Sequence, residues 1–303
     1  MGQLESIKIF ITVVETGSIT KAADRLGLAK SAVSKRLAEL EQLLAVKLIN
    51  RTTRSSSLTE AGERYYQKSR LIVEEMEELN AEIAHSQGTL TGNLKIAVPL
   101  SFGLHHLTPA LKEFCQRHPE LKLDLEFSDK KINLVEDGID LAIRIGELTD
   151  SSLKAKLITN IEHVLCASPD YLAQHGTPVA PEDIQHHQFL KYSQSPLSGI
   201  TLTDADNHSH LAPITPHLVA NNGDFLKDMA SAGHGIVFLP RFIVWKELQS
   251  EALTPILTNY SLNKVGAYVV YPSTRFLPRK SRLFIDFLAS YYGSVPYWDR
   301  TLS

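Results

Sequence analysis

The stretch Gly27-Leu-Ala-Lys-Ser-Ala-Val-Ser-Lys-Arg-Leu-Ala-Glu-Leu-Glu limits what this chain can fold into more than any other. Val33, Leu37, Leu40 and Leu44 recur at helical spacing, so the segment lays one stripe on a core. Before it, Ser18 is placed to cap a short helix through Lys21, Ala22, Ala23 and Leu26. Ala22 and Ala23 carry almost no bulk, so another helix can cross closely there. Gly27 supplies the left-handed residue that a sharp helix-to-helix turn needs. An earlier helix with Leu4, Ile7, Phe10, Ile11 and Val14 on one face stops at Gly17. Two short helices joined by a glycine turn make a helix-turn-helix pattern, with Lys30, Ser31, Ser34, Lys35 and Arg36 left on its outer face.

Charge separates this region from the rest. Residues 1–58 hold nine Lys/Arg and five Asp/Glu, a net of +4, in a chain whose net charge is −3. A small basic module on an acidic body points to a polyanion met by the N-terminus alone. The run AVKLINRTTRSSSLT, β-branched with a polar tip, reads as a two-stranded wing carrying Arg51 and Arg54. Thr59 then caps a long helix to about His85. Its apolar positions Tyr65, Ile72, Met76, Leu79 and Ile83 are spaced 7, 4, 3 and 4, a heptad-like stripe that asks for a partner helix from a second copy of the chain.

From Gly88 the pattern changes. Expected strands Leu94–Val98, Leu121–Phe127, Leu141–Ile145, His163–Ala167, Ile236–Leu239 and Ala267–Tyr271 alternate with helices near Leu104–Arg117, Asn133–Asp137, Ser168–Gln174, Asp224–Ala232, Pro240–Leu248 and Arg279–Tyr291. Such alternation predicts βαβ units and a largely parallel sheet. The N-terminus has neither the basic start nor the continuous apolar core of a signal peptide, and no apolar run is long enough to span a membrane. The chain therefore reads as soluble and cytoplasmic, with no membrane partner.

Chemistry-bearing motifs are scarce. There is no G-x-S-x-G, no H-E-x-x-H and no Gly-rich phosphate cradle, so catalysis has no support and no cofactor is expected. Cys115 and Cys166 are too few for a structural zinc site and both sit in apolar runs that read as core. His105-His106 and His186-His187 are poor chelates, because adjacent helical residues point about 100° apart, so the histidines read as solvated or capping and no metal is expected.

The motif order F-x-x-V-V-E-T-G-S-I-T-K-A-A-D-R-L, S-A-V-S-K-R-L-A-E-L-E and N-R-T-T-R-S-S-S-L-T-E-A-G resembles the LysR-type transcriptional regulators, and DLAIRIG, CASPDYL, GHGIVFLP and SRLFIDFL echo the same family later in the chain. Where many members carry Gln-Pro this chain has Lys30-Ser31, and where many carry Arg it has Lys35, like the subgroup whose recognition helix reads S-A-V-S-K. The resemblance implies an N-terminal winged helix-turn-helix over 1–58 and a dimerising linker helix over 59–87. A two-lobed α/β effector-binding domain like the periplasmic binding proteins would follow over 88–303. Lobe I would span about 92–161 and 266–303, and lobe II about 162–265, with crossings near Asn160–His163 and Leu262–Gly266.

The implied function is a sequence-specific DNA-binding transcriptional regulator controlled by a small molecule, assembled as a dimer and then a tetramer on a two-fold, A/T-rich double-stranded site. Ser31, Ala32 and Ser34 are small enough for deep entry into the major groove, where Lys30 and Lys35 can donate to guanine or phosphate. Arg36 is placed for a phosphate or an intrachain ion pair, Ser18 and Thr20 for the sugar-phosphate backbone, and Arg51 and Arg54 for the minor groove. On the effector side, Ser101 and Phe102, Ser128 and Asp129, Arg144 and Gly146, and Asn222 and Asp224 fall at strand ends on the rim of the expected cleft. There Ser101 could hold an anion and Arg144 a carboxylate; a small organic anion is the default effector, with neutral or cationic ligands left open by Asp129 and Asp224. Two rival readings are a regulator that responds to pH or thiol oxidation, and a solute-binding module or enzyme with a vestigial DNA-binding domain.

Overall fold

The computed structural model describes residues 2–51, 56–84, 90–130, 132–148, 152–195, 198–273 and 277–302. The chain divides into two compact units, Met1–Thr89 and Leu90–Ser303.

The first unit runs α1 (Gln3–Thr16), α2 (Ile19–Leu26), α3 (Lys30–Leu44), β1 (Ile49–Arg51), β2 (Ser56–Leu58) and α4 (Glu60–Ala84). Phe10, Ala22, Ala23, Val33, Leu37, Leu40 and Leu48 share one core, so the alanine pair does permit a close helix crossing. Gly27 adopts φ 64°, the left-handed turn between α2 and α3. Ser18 occupies the N-cap of α2 with extended backbone, but its hydroxyl makes no cap hydrogen bond. β1 and β2 pair antiparallel, Ile49 opposite Leu58, forming the stem of a wing. The Thr59 hydroxyl accepts the Gly62 N–H at 2.9 Å and so caps α4. A Cβ at Gly62 would stand 1.9 Å from the Leu48 carbonyl oxygen, so only glycine lets α4 cross the strand start this closely.

Tyr65 corrects the expected stripe on α4. Its ring packs 5.7 Å from Phe10 and belongs to the core, with Tyr66 beside it at 6.5 Å. Ser69 and Val73 continue that inward face. Ile72, Met76 and Leu79 stay 56%, 43% and 53% exposed on another face, and the Ile83 side chain lies outside the described residues.

The second unit contains two five-stranded sheets. The first has the order β4 (Leu121–Phe127), β3 (Gly92–Val98), β5 (Leu141–Ile145), β14 (Val265–Pro272), β6 (Leu153–Ile161). The second has the order β11 (Pro216–Ala220), β8 (Phe189–Tyr192), β12 (Ile236–Pro240), β7 (His163–Ala167), β13 (Thr254–Pro255), and β9 (Gly199–Thr203) with β10 (Ser209–Pro213) forms a separate hairpin. β3, β4 and β5 pair in parallel, as do β8, β11 and β12, whereas β14 runs antiparallel to β5 and β6, and β7 to β12. The largely parallel sheet expected from alternation is therefore two mixed sheets, because β14 returns from the second lobe. The chain leaves the first sheet after β6 at Glu162 and comes back between β13 and β14.

The helices of this unit are α5 (Leu100–Phe102), a π turn Gly103–Leu107, α6 (Thr108–Arg117), α7 (Pro169–His175), α8 (Gly223–Ser231), α9 (Arg241–Gln249) and α10 (Arg279–Tyr292), with 3-10 turns at Pro181–His186 and Tyr297–Leu302. The helix expected near Asn133–Asp137 is instead a run of hydrogen-bonded turns, closed by Asp137 N–H to Asn133 O and Ile139 N–H to Leu134 O. Among the described residues no helix is long and apolar enough to cross a membrane.

Candidate nucleic-acid interface and interlobe cleft

α3 buries Val33, Leu37 and Leu40 and turns Lys30, Ser31 and Lys35 to solvent, with Ser34 and Arg36 half-buried at the margin. Its N-cap is Ala29, which has no side chain to satisfy the first-turn N–H groups. The positive end of the helix dipole lies at the turn that carries Lys30, which is exposed and forms no ion pair with the described residues. Lys35 reaches Glu39 only at 4.0 Å with 79% of its side chain exposed, so it is free to re-aim. Arg36 lies 3.9 Å from Glu39. Ser18 and Thr20, half-buried and exposed, stand at the start of α2. Arg51 ends β1, while Arg54 lies outside the described residues, as does the wing tip.

Sequence reasoning passed over Glu41. It is only 4% exposed and accepts the Leu48 N–H at 2.9 Å, the Ile49 N–H at 3.2 Å and the Lys47 ammonium at 2.7 Å. Burial pushes its carboxyl up, but the Lys47 bond and the two backbone N–H groups outweigh that and hold it below its ordinary value. One carboxylate thus ties the recognition helix to the first wing strand. The signal was present: Glu41 is four residues after Leu37 and three before Leu44, an inward slot filled by an acid.

In the second unit, three of the groups expected to await a ligand, Ser101, Asp129 and Asp224, are bonded across the cleft. Ser101 is buried and its hydroxyl donates to Asp224 Oδ2 at 2.6 Å, while His105 Nε2 lies 3.0 Å from Asp224 Oδ1. Ser101 is therefore not an open anion donor, because a resident carboxylate already occupies it. Asp129 accepts the Leu100 N–H at 3.0 Å and hydrogen-bonds the Tyr192 hydroxyl of the other lobe. Burial pushes the Tyr192 phenol well up, and Asp129 beside it adds to the rise. Asn222 caps α8 through the Phe225 N–H at 2.8 Å. Ser128 accepts the Lys130 N–H at 3.2 Å, Arg144 donates to the Ile132 carbonyl at 3.2 Å, and Gly146 takes φ 122°.

Phe102 is a correction. It is fully buried, in aromatic contact with Phe242, Tyr292 and Trp298, and presents nothing to a ligand. His106 is another, because it is 1% exposed rather than solvated. Its Nε2 lies 2.9 Å from the Phe242 carbonyl, which can only accept, so Nδ1 takes the Tyr297 O–H at 2.6 Å. Burial lowers it to about 4, against the pull of the Phe242 bond. Here too the spacing was legible, since Phe102, His106, Ala110 and Phe114 fall four apart and are all buried.

Cys166 is core as expected, and burial with Glu247 nearby pushes its thiol up to about 12, an inert state. Cys115 is exposed, contrary to the core position expected. Asp204, Asp206 and His208 bring one ligand-type atom each within 4.8 Å of one another. Asp204 is already engaged by the Asp206 and His208 N–H groups and by His210, the bonding of an acid that shapes a tight turn.

The comparisons with known proteins agree with this division. Residues 4–63 match the family described as bacterial regulatory helix-turn-helix protein, lysR family, and residues 87–293 match the LysR substrate binding domain. A Haemophilus influenzae protein named an uncharacterized HTH-type transcriptional regulator is 39% identical over 92% of this chain and 97% of its own. The HTH-type transcriptional regulator CrgA of Neisseria meningitidis is 36% identical over 96% of this chain and 97% of its own. The solved structure of CrgA, described as a LysR-type transcriptional regulator, superposes with a TM-score of 0.60, covering 94% of this chain and 97% of that one.

Proposed function

Because this chain belongs to the LysR-type transcriptional regulators, we propose that it reads double-stranded DNA through the N-terminal turn of α3 and changes that reading when a small molecule enters between the lobes of its second unit. It is a transcriptional regulator with a helix-turn-helix and a substrate-binding domain, and not an enzyme. In the major groove, Lys30, Ser31, Ser34 and Lys35 meet bases or phosphates, with Ser18, Thr20 and Arg36 on the flanking backbone and Arg51 and Arg54 entering the A/T-rich minor groove. The exposed Ile72, Met76 and Leu79 stripe of α4 meets its counterpart in a second copy, which doubles the base pairs read as a two-fold site. Two such dimers join through their effector-binding units. The ligand exchanges with the contacts that Ser101, His105 and Tyr192 make to Asp224 and Asp129, and so changes the lobe angle.

The observation that carries the DNA-reading part is the exposed first turn of α3, which has no side-chain cap and whose Lys30 forms no ion pair with the described residues, on a helix whose other end Glu41 ties to β1. Fragments bound by the full chain in cells supply the site for a salt-titrated binding assay. Lys30→Ala is expected to weaken binding roughly tenfold and to reduce the salt slope by about 0.9 if Lys30 grips a phosphate. Unchanged affinity and slope in a Lys30→Ala, Lys35→Ala double variant would overturn the reading.

A further inference from the structure

α9 belongs to both lobes. Its Phe242 enters the core of the first lobe, beside Phe102, Leu107 and Tyr292, while its Val244 and Leu248 enter a core of the second, beside Leu226 and Val237. Any change of lobe angle therefore has to move Phe242 relative to the first lobe. Over that contact lies the end of the chain. Trp298 is fully buried, its ring 4.4 Å from His106, 5.6 Å from Tyr292 and 6.1 Å from Phe102 on the first lobe, and 6.2 Å from Phe242 on α9. Tyr297 donates to His106 and sets its ring 5.8 Å from Trp245, also on α9.

Charge gathers at the same place. Glu162, in the crossing from β6 to β7, pairs with Arg241 at the start of α9 and with Lys264 in the returning crossing, at 3.6 and 2.5 Å. Asp299 faces all three. Burial pushes its carboxyl up to about 6, with Glu162 adding and Arg241 and Lys264 opposing.

We propose that the C-terminal turn Tyr297–Leu302 is an interlobe strap, which pins α9 to the first lobe and must lift before the lobes can change their angle. The strap is held by aromatic packing more than by hydrogen bonds. The Trp298 indole N–H and one Asp299 carboxylate oxygen are buried with no hydrogen-bond partner among the described residues. Their desolvation offsets part of the ring burial and keeps the seat reversible.

Hydrogen–deuterium exchange of the full chain, read by mass spectrometry, tests this without DNA or effector, so its result does not depend on the DNA-reading proposal. Tyr297→Phe removes one hydrogen bond and keeps the ring. It is expected to speed exchange roughly fivefold in α9 and in both crossings, residues 158–164 and 262–267, while α7, β8 and the first unit stay as they were. Faster exchange confined to 296–302, or a uniform rise through the whole second unit, would overturn the strap. Trp245 and Trp298 are the only tryptophans of the chain. In a Trp245→Phe background the emission of Trp298 is expected to shift to longer wavelength when Tyr297→Phe is added, and an unmoved emission counts against the proposal.

Discussion

The recognition surface of the first unit and the interlobe cleft of the second treat their polar groups in opposite ways. On α3, Lys30 pairs with none of the described residues, Ser31 is exposed, and the helix start has no cap. In the cleft, Ser101, His105, Asp129, Tyr192 and Asp224 are bonded to one another across the lobes. A surface that grips a polyanion gains from being complete beforehand, because groups held in place lose little freedom on binding. A cleft that must respond to its ligand gains from internal contacts that the ligand can replace, because a ligand shifts an equilibrium only by its differential affinity for the two states. The tie that stiffens α3 comes from behind, through Glu41, whereas the ties of the cleft lie in the cleft.

The largest effect expected from breaking this contrast is at Glu41. Glu41→Ala leaves two buried backbone N–H groups without their acceptor and removes the partner of Lys47, a loss of about 3 kcal/mol or more. In thermal denaturation of the full chain the transition of the first unit is expected to fall sharply while that of the second stays in place, and DNA binding is lost with it. Glu41→Gln, which keeps a carbonyl acceptor, recovers part of both. A Glu41→Ala protein as stable as the parent would show that the reading surface does not depend on this tie.

Next in size is His106, the base buried behind the cleft. It titrates near 6.5 when unfolded but is held to about 4 when folded, so between those values the unfolded chain binds more protons. Its contribution, about 3 kcal/mol at the limit, is fully present above pH 6.5 and is lost as the pH falls toward 4. His163, stacked on Phe238 at 4.9 Å, is lowered by burial to about 4 and acts in the same direction. Asp299 opposes them. Its raised carboxyl binds more protons folded than unfolded between 3.8 and about 6, so it strengthens the fold as the pH falls through that window. The melting temperature of the second unit is expected to drop between pH 6.5 and 4.5. His106→Gln should remove about half of that drop, and Asp299→Asn should steepen it. A His106→Gln protein with the parental pH slope would mean that the buried imidazole is not what makes the second unit sensitive to acid.

What the sequence makes legible follows from how local each signal is. Strands β4, β5 and β7 fall where alternation places them, and α3 falls where Val33, Leu37 and Leu40 place it. Glu41 and His106 were both readable as polar residues in inward slots of a helical pattern, since periodicity ignores what fills a slot. β6 escaped because Lys154 and Lys156 interrupt its apolar pattern and most of its first half is exposed, and β13 has only two residues. The cross-cleft pairs leave no local trace at all. Ser101 and Asp224 are 123 residues apart, and only the packing of two sheets brings a helix-start serine against an aspartate that also fits an ordinary helix start. That is why the exposed face of α3 could be read from spacing, while the residues expected on the effector rim included Phe102, a core residue.

The smallest effect expected marks where the stiffness of the reading surface ends. Ala45, just past α3, holds φ 51°, with its N–H on the Gln42 carbonyl and the Val46 N–H on the Glu41 carbonyl. A left-handed alanine costs about 1 kcal/mol that glycine avoids, while glycine also gains freedom in the unfolded chain. Ala45→Gly is therefore expected to be neutral or to stabilise by about 0.5 kcal/mol in urea titration, with DNA affinity within about twofold of the parent. The C-terminal end of α3 is fixed by Glu41 on the Leu48 and Ile49 N–H groups, and a looser residue after it leaves that tie intact. If Ala45→Gly instead cost tenfold in affinity at unchanged stability, the strained turn itself would be setting the angle at which Lys30 and Lys35 are presented, and the rigidity assigned to Glu41 would have to be shared with it.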